Sequence, residues 1–393
     1  MEHKFHFDFN LVPREMKVLL ELIKDSNDEL INQSKNEWFA DIDWDYFLKL
    51  AIHHRIYPLV YLKLKKAASN LIPPHILQSL QAEYKKNTYQ MLHLSGEMEQ
   101  LSRLFTTNQI HSLFLKGPVI ANDLYGDISM RTSKDLDILI AETDLAKAEK
   151  ALLKAGYQKE EESTVLNERK WRHHHIVYFN PNKKIQIEIH WALHPRPMKE
   201  PKFEELWKRK QMSTLTNYPV AFLGKEDLFL YLIAHGARHG WFRLRWLKDI
   251  DQMFRHEICY KRLNYFIKKY HYQHLVGQAL LLASSLLNSS INPNFNHFLQ
   301  NKRSLELAQK SIFYIREIRE IHGGISDEVL IYHKKYLSSL KSMRQKIFSI
   351  IIYFYPNSLD EATLALPKKL YFLYFPLRPF LWTWRKFRFR RRQ

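Results

Sequence analysis

The stretch Asp135-Leu136-Asp137-Ile138-Leu139-Ile140 carries the strongest structural signal in this chain of 393 residues. Acidic and aliphatic residues alternate at its start, and alternation is typical of a β-strand with one buried face, because successive side chains point to opposite sides of a sheet. The pattern predicts that Asp135 and Asp137 share one face. The aliphatic residues that separate and follow them are expected to enter the core.

A second strand-like run, Gln186-Ile187-Glu188-Ile189-His190, alternates in the same way. If the two strands are neighbours, the carboxylates of Asp135, Asp137 and Glu188 converge. Such a cluster is unfavourable unless cations neutralise it, and oxygen ligands suit Mg²⁺ or Mn²⁺. Two metal ions about 4 Å apart can stabilise both the attacking and the leaving oxygen of a phosphoryl transfer. We therefore expect these three residues to be metal-binding and catalytic.

Upstream, Lys116 and Gly117 lie between a predicted strand, residues 112–115, and a predicted helix, residues 118–125. The first amides of a helix can bind a phosphate, and a glycine lets the backbone approach it closely. Lys116 adds a positive charge, and Arg131 has the geometry to bind a triphosphate with two parallel hydrogen bonds. Lys116, Gly117 and Arg131 are therefore the predicted nucleotide-binding residues.

The sequence around this segment predicts an α+β protein in four parts. Residues 1–110 show helical periodicity, and residues 111–200 alternate short strands with helices. Residues 201–366 are expected to form a C-terminal helical domain, followed by an aromatic and basic tail, residues 367–393. The strands would then form a small mixed sheet between two helical regions.

The strand, glycine turn, helix and Asp-x-Asp strand resemble the DNA polymerase β-like nucleotidyltransferase superfamily, and in particular the bacterial family of uncharacterised nucleotidyltransferases. One departure is Gly117-Pro118, where the superfamily usually has Gly-Gly or Gly-Ser, so no serine hydroxyl is offered in the turn. The elements that carry the resemblance are residues 115–117, 124–127, Arg131, 135–140, 152–157, 188–191, 235–241 and 244–250.

The resemblance implies a polymerase β-like palm and metal-dependent transfer of a nucleoside monophosphate from a nucleoside triphosphate to an acceptor. It suggests a small-molecule, sugar or peptide acceptor, with or without a phosphate, in lasso-peptide tailoring or surface-polysaccharide biosynthesis. A tRNA-modifying toxin uses the same chemistry and stays an alternative. An alternative of another class is a non-catalytic scaffold that binds nucleotide or membrane.

Several further residues are candidate contacts to the nucleotide or the acceptor: His190, His235, His239, Arg245 and Asp249. His235 and His239 are four residues apart on a predicted helix, a spacing that also occurs in zinc hydrolases. The general base of those enzymes is absent, because Gly236 follows His235. Helix packing for the histidines and a structural ion pair between Arg245 and Asp249 are the simpler interpretations.

The composition limits the class of protein. Hydrophobic residues make up 46% and aromatic residues 14%, which excludes a disordered chain. A single cysteine, Cys259, excludes a disulfide scaffold and favours a reducing cytoplasm. Of the net charge of +19, residues 341–393 contribute +10. The tail, residues 367–393, is predicted either to contact an anionic membrane peripherally or to pack on the protein with its arginines solvated, and contact with nucleic acid is less favoured. Its prolines interrupt it too often for it to span a bilayer.

Overall fold

A computed structural model describes residues 12–25, 37–67, 71–160, 173–319 and 326–390. Seven strands form one sheet: β1 (Ser112–Phe114), β2 (Leu136–Ile140), β3 (Gln158–Lys159), β4 (His175–Asn180), β5 (Ile185–His190), β6 (Gln211–Ser213) and β7 (Val220–Phe222).

Helices precede, connect and follow these strands. The principal ones are α1 (Arg14–Ile23), α2 (Trp44–His53), α3 (Tyr57–Ala67), α4 (Pro74–Thr107), α5 (Pro118–Tyr125), α6 (Leu145–Lys154), α7 (Phe203–Lys208), α8 (Lys225–Arg238), α9 (Leu244–Met253), α10 (Tyr260–Tyr270), α11 (Gln273–Leu287), α12 (Asn296–Leu299), α13 (Lys302–Ile315), α14 (Asp327–Ser339), α15 (Met343–Tyr353), α16 (Ser358–Thr363) and α17 (Tyr374–Arg390).

The sheet is mixed, with strand order β3-β4-β5-β2-β1-β7-β6. β2 runs parallel to β5 and antiparallel to β1, and all of its side chains are buried. The long helix α4 packs against β1 and β7, while α1 packs against both α2 and the C-terminal helix α11. One hydrophobic core therefore includes the sheet and the helices before and after it. The predicted α+β class is confirmed.

The expectation of a wholly helical region from residue 201 onward requires correction. β6 and β7 pair antiparallel, and Phe222 of β7 pairs parallel with Phe114 of β1. All three residues of β7 are buried, so the run Val-Ala-Phe forms a core strand rather than part of a helix. Three residues are too few to show a helical or strand periodicity, which is why the pattern did not reveal it.

The C-terminal segment has a small core of its own. Tyr374 and Leu381 of α17 are buried against Leu366, Tyr371 and Leu377 in a cluster that is separate from the main core. Arg378 and Arg385 of α17 both contact the buried carboxylate of Asp360. Residues 391–393 and the side chains of residues 386 and 388–390, which include much of the predicted basic patch, lie outside what the structure describes.

Gly236 is a test of how tightly α8 packs. A Cβ atom at this position would lie 2.5 Å from Cζ3 of Trp241, a side chain with no exposed surface. We expect Gly236→Ala to lower the free energy of unfolding by about 1–3 kcal/mol, because the indole has no space to move into. The measurement is urea-induced unfolding of the full-length chain.

Gly96→Ala in α4 is the matched control. No atom lies within 4 Å of the position its Cβ would take, so this change should stabilise the helix by about 0.5–1 kcal/mol. Equal stability of the two variants would contradict the close packing of α8 on Trp241.

Candidate active site

The parallel pairing of β2 with β5 brings two acidic residues side by side. In this register Asp137 stands directly opposite Glu188. Residues opposite each other on adjacent strands point to the same face of a sheet, so the two carboxylates share one face. The structure thus shows that the two strands predicted from the sequence are neighbours.

Two basic side chains lie within contact distance of this carboxylate pair. The Nζ atom of Lys116 is 3.0 Å from Oδ1 of Asp137. The Nε2 atom of His190 is 3.2 Å from Oδ1 of Asp137 and also 3.2 Å from Oε2 of Glu188. His175 approaches the same Glu188 oxygen at 3.8 Å. The negative charge is therefore balanced within the first layer of contacts.

These contacts set the protonation of the cluster. Burial opposes ionisation of Asp137, but Lys116 and His190 outweigh it and hold the pKa of that carboxyl well below its usual range. Burial alone would lower the pKa of His190, and its hydrogen bonds to Asp137 and Glu188 raise it instead. Glu188 behaves like Asp137. Burial disfavours the charged form of Glu188, but the hydrogen bond from His190 lowers the pKa of its carboxyl. The contacts with Lys116 and His190 therefore favour the charged forms of Asp137 and Glu188.

Asp135 experiences the opposite balance. It lies just before β2 and is half-buried. Burial, followed by the negative charge of Asp137, raises the pKa of its carboxyl to about 6, although Lys116 acts in the other direction. Asp135 is thus the carboxylate whose charge is least compensated, and a cation at this point would relieve it.

Gly117 forms the turn between β1 and α5 in a backbone conformation that other residues rarely adopt. Its φ and ψ angles are 92° and −152°, and a Cβ would lie 3.1 Å from a side-chain carbon of Leu136. The glycine therefore allows α5 to begin directly beside the strand that carries Asp137. Lys116, immediately before this turn, is placed against Asp137 by the same geometry.

The donor atoms of the centre fit a divalent cation. Asp137, Glu188 and His190 each offer an atom within 4.8 Å of the other two, and His174, His175 and His190 form a second such group. Among the residues that the structure describes, Oδ2 of Asp137 is buried and has no hydrogen-bond partner. A bound cation would satisfy that oxygen, and the added imidazole makes the donor set suitable for Mn²⁺ as well as Mg²⁺.

A model of the family described as "Uncharacterised nucleotidyltransferase" matches residues 40–288. The matched region contains the whole sheet and the carboxylate centre. The chain belongs to this family of uncharacterised nucleotidyltransferases. No curated protein and no solved structure matches the chain. The resemblance noted from the sequence is therefore confirmed.

In this chain the guanidinium of Arg131 is paired with a carboxylate and is not a free phosphate ligand. Its guanidinium donates from Nε and Nη2 to Asp249 at 3.0 Å, and neither side chain is exposed. Tyr125 donates to the same carboxylate at 2.9 Å, and Arg245 donates to the carbonyl oxygen of Thr132. The expectation that Arg131 binds the triphosphate, and Arg245 and Asp249 the substrates, is thus replaced by a buried network that fixes the segment before Asp135.

The two histidines of α8 and its C-terminus pack against aromatic rings. The ring centres of His235 and His239 are 4.7 Å apart, and both lie within 5.3 Å of the Trp246 ring centre. Burial, with Lys116 next, lowers the pKa of His235 well below its usual value. Within the described residues neither histidine belongs to a three-ligand group, so the geometry offers no support for a zinc site here.

Arg238 is the basic residue that sequence reasoning missed. It lies at the end of α8, is half-buried, and approaches Nε2 of His174 and of His239 at 3.4 Å. Burial lowers its pKa, while Tyr231, Glu188 and Asp137 act to raise it, which places it near the carboxylates. In the described part of the chain its Nε atom has no hydrogen-bond partner. Arg238 lies within residues 235–241, which carry part of the family resemblance, but only the two histidines of that run were predicted as candidate contacts.

The buried pair of Arg131 and Asp249 yields a stability prediction. We expect Asp249→Ala to lower the free energy of unfolding by about 3–5 kcal/mol, because it leaves a guanidinium buried without its counter-ion. Thermal and urea unfolding measure this loss. Glu99→Ala, which removes the exposed contact to Arg103, is the control and should cost less than about 1 kcal/mol. Similar losses in both variants would show that the buried pair is not structural.

Proposed function

We propose that this protein catalyses metal-dependent transfer of a nucleoside monophosphate from a nucleoside triphosphate to an acceptor. The observation that carries the proposal is the register of β2 and β5, which sets Asp137 opposite Glu188, with Lys116 in contact with Asp137. Family membership supports the same reaction class. Neither observation depends on the other.

Asp135, Asp137 and Glu188 are the residues that we assign to Mg²⁺ or Mn²⁺, with His190 as an additional ligand. A divalent ion at this point would withdraw electron density from the phosphate that is attacked. The unpartnered oxygen of Asp137 and the under-compensated charge of Asp135 both favour a cation. Glu188, whose side chain is 21% exposed against 3% for Asp137, is the carboxylate placed to receive the acceptor's proton.

The phosphates of the nucleotide are assigned to Lys116, the Gly117 turn and Arg238. Lys116 supplies charge at the carboxylates, and because α5 begins with Pro118, the first amides that this helix offers to a phosphate are those of Val119 and Ile120. Arg238 takes the place that the sequence suggested for Arg131. Its buried, unpartnered Nε offers a strong donor for an anion inside the centre.

We further propose that the acceptor is a small molecule, a sugar or a peptide, as in lasso-peptide tailoring or surface-polysaccharide biosynthesis. Modification of tRNA and a non-catalytic scaffold are the competing functions. A scaffold predicts no turnover of nucleotide in the presence of metal. A tRNA-modifying enzyme predicts label transfer from nucleotide to tRNA, which the other functions do not.

Asp135→Asn tests the metal role most cleanly. We expect this variant to lose about 10²–10³-fold in metal-dependent pyrophosphate release, because a ligand and its charge are removed. Binding of Mn²⁺, followed by electron paramagnetic resonance, should weaken in parallel. The melting temperature should not fall, because the substitution removes a carboxylate that neighbouring charge already disfavours.

Asp144→Asn is the control for this experiment, since that residue contacts Lys147 outside the centre. Asp137→Asn should also abolish activity but should cost stability, because Lys116 and His190 lose their shared partner. Normal Mn²⁺ binding and turnover in a folded Asp135→Asn protein would refute the assignment.

We also propose that the C-terminal segment contacts an anionic lipid surface. Apolar side chains of α15 and α17 are widely exposed, including Ile347 at 58%, Phe380 at 71% and Trp384 at 60%. Six of the eight residues 385–392 are basic. Exposed aromatic residues beside basic ones favour the headgroup region of an anionic bilayer. Within the described residues no helix is long and apolar enough to cross a membrane.

Point substitutions test this contact better than truncation, because Leu381 is buried and Arg385 contacts Asp360. Replacing Phe380 and Trp384 together with Ser should weaken binding to phosphatidylserine vesicles about tenfold or more. Tyr89→Ser, at an aromatic residue of similar exposure on α4, should leave binding unchanged. Absence of vesicle binding by the wild-type chain at low salt would end the proposal.

A further inference from the structure

A second basic cavity lies next to Asp135, apart from the carboxylate centre. It has a volume of about 760 Å³ and is bounded by α2, α3, α4, the segment 132–134 and the start of α9. Lys116, Gly117, Asp137, Glu188 and Arg238 do not line it. It is therefore not the nucleotide phosphate site described above.

The charge of this cavity is strongly one-sided. Among the residues that the structure describes, five cationic side chains line it against one carboxylate, that of Glu83: Lys49, Arg55, Lys86, Lys134 and Arg243. Lys86 approaches Glu83 only at 3.8 Å. Burial, followed by the charges of Arg243 and Arg55, lowers the pKa of His53 in the cavity wall to about 4. A cavity with this surplus of positive charge attracts anions.

Arg55 links the cavity to the reaction centre. Its backbone has a φ of 55°, a left-handed conformation that is uncommon for any residue other than glycine, asparagine or aspartate. Arg55 lies in the turn between α2 and α3, at a position where glycine would adopt this backbone conformation more easily, and its long cationic side chain lines the cavity. Burial lowers the pKa of its guanidinium, and the charge of Asp135 acts to raise it.

The wall of the cavity on the side of the reaction centre is held in place. Asn87 of α4 donates to the carbonyl oxygen of Ser129 at 2.9 Å, and Tyr84 is 2.8 Å from the Ser129 hydroxyl. Thr132 accepts from the buried Arg245, and Ser133 donates to the carbonyl oxygen of Asp135. The segment 132–134, which lines the cavity and directly precedes Asp135, is therefore fixed at several points.

We propose that this cavity binds the acceptor and that the acceptor carries a phosphate monoester. The proposal rests on the nucleotidyltransferase function proposed above, because it divides the site into two. Lys116, Gly117 and Arg238 hold the nucleotide, while the cavity lined by Lys49 and Arg55 holds a second anion. A phosphate monoester fits because five cations suit a group that carries two negative charges better than a neutral sugar or peptide.

The test measures binding of inorganic phosphate to the full-length protein by calorimetry. Saturating α,β-methylene-ATP with Mg²⁺ is present, so that the nucleotide site is filled. We expect Lys49→Gln and Arg55→Gln each to weaken phosphate binding about tenfold, the loss expected for one charged hydrogen bond. Lys65→Gln, at an exposed lysine of α3 outside the cavity, should leave it unchanged. Circular dichroism checks that each variant is folded.

The phosphate-acceptor proposal and the proposed function can fail separately. If neither cavity variant weakens phosphate binding, or if succinate binds as tightly as phosphate, the phosphate-acceptor proposal is overturned. If the same variants weaken α,β-methylene-ATP binding tenfold, the cavity belongs to the nucleotide and the acceptor assignment is overturned. If the wild-type protein binds no α,β-methylene-ATP with any divalent metal, the proposed function fails, while the phosphate titration still reports on the cavity.

Discussion

The structure depends on the placement of like charges side by side on two parallel strands. Asp137 and Glu188 are opposite each other in the register of β2 and β5, and neighbouring carboxylates repel. Lys116 and His190 compensate that repulsion from the ends of β1 and β5. Two of the sheet's central strands and the glycine turn are therefore coupled to one electrostatic requirement. A sheet that slipped by one residue would separate these charges from their partners.

The requirement extends into the helical regions through a second buried ion pair. Arg131 and Asp249 join the segment before Asp135 to α9, and Arg245 reinforces the contact at Thr132. Buried pairs of this kind contribute little net stability compared with apolar packing but penalise any arrangement in which one partner is lost. The pair thus fixes how the sheet sits against the C-terminal helices. The position of Asp135 relative to Arg55 and the second cavity follows from it.

Sequence reasoning located the strands of the centre because alternation and glycine turns are local signals. Asp137, Glu188, Lys116 and Gly117 were identified from spacing and from the family resemblance. The partners of Arg131 were not, because a buried arginine and a phosphate-binding arginine look alike until Asp249, 118 residues away, is placed beside it. For the same reason β7 was missed: its three apolar residues form a strand through pairing with β6 on one side and β1 on the other.

Arg238 and Arg55 were not predicted as site residues from the sequence, yet both lie near the carboxylates. Burial lowers the pKa of both guanidiniums, while nearby carboxylates act to raise it: Glu188 and Asp137 for Arg238, and Asp135 for Arg55. Within the described residues Nε of Arg238 is buried without a hydrogen-bond partner. Unsatisfied buried donors are costly in a folded protein, so they persist where a ligand completes them. Arg238, at the end of α8, and Arg55, between α2 and α3, are the cations that we assign to the two anions. A transfer between a nucleotide and a second phosphate-bearing molecule requires two anions near the same carboxylates, and this requirement is the reason for assigning the two substrates to separate groups of cations.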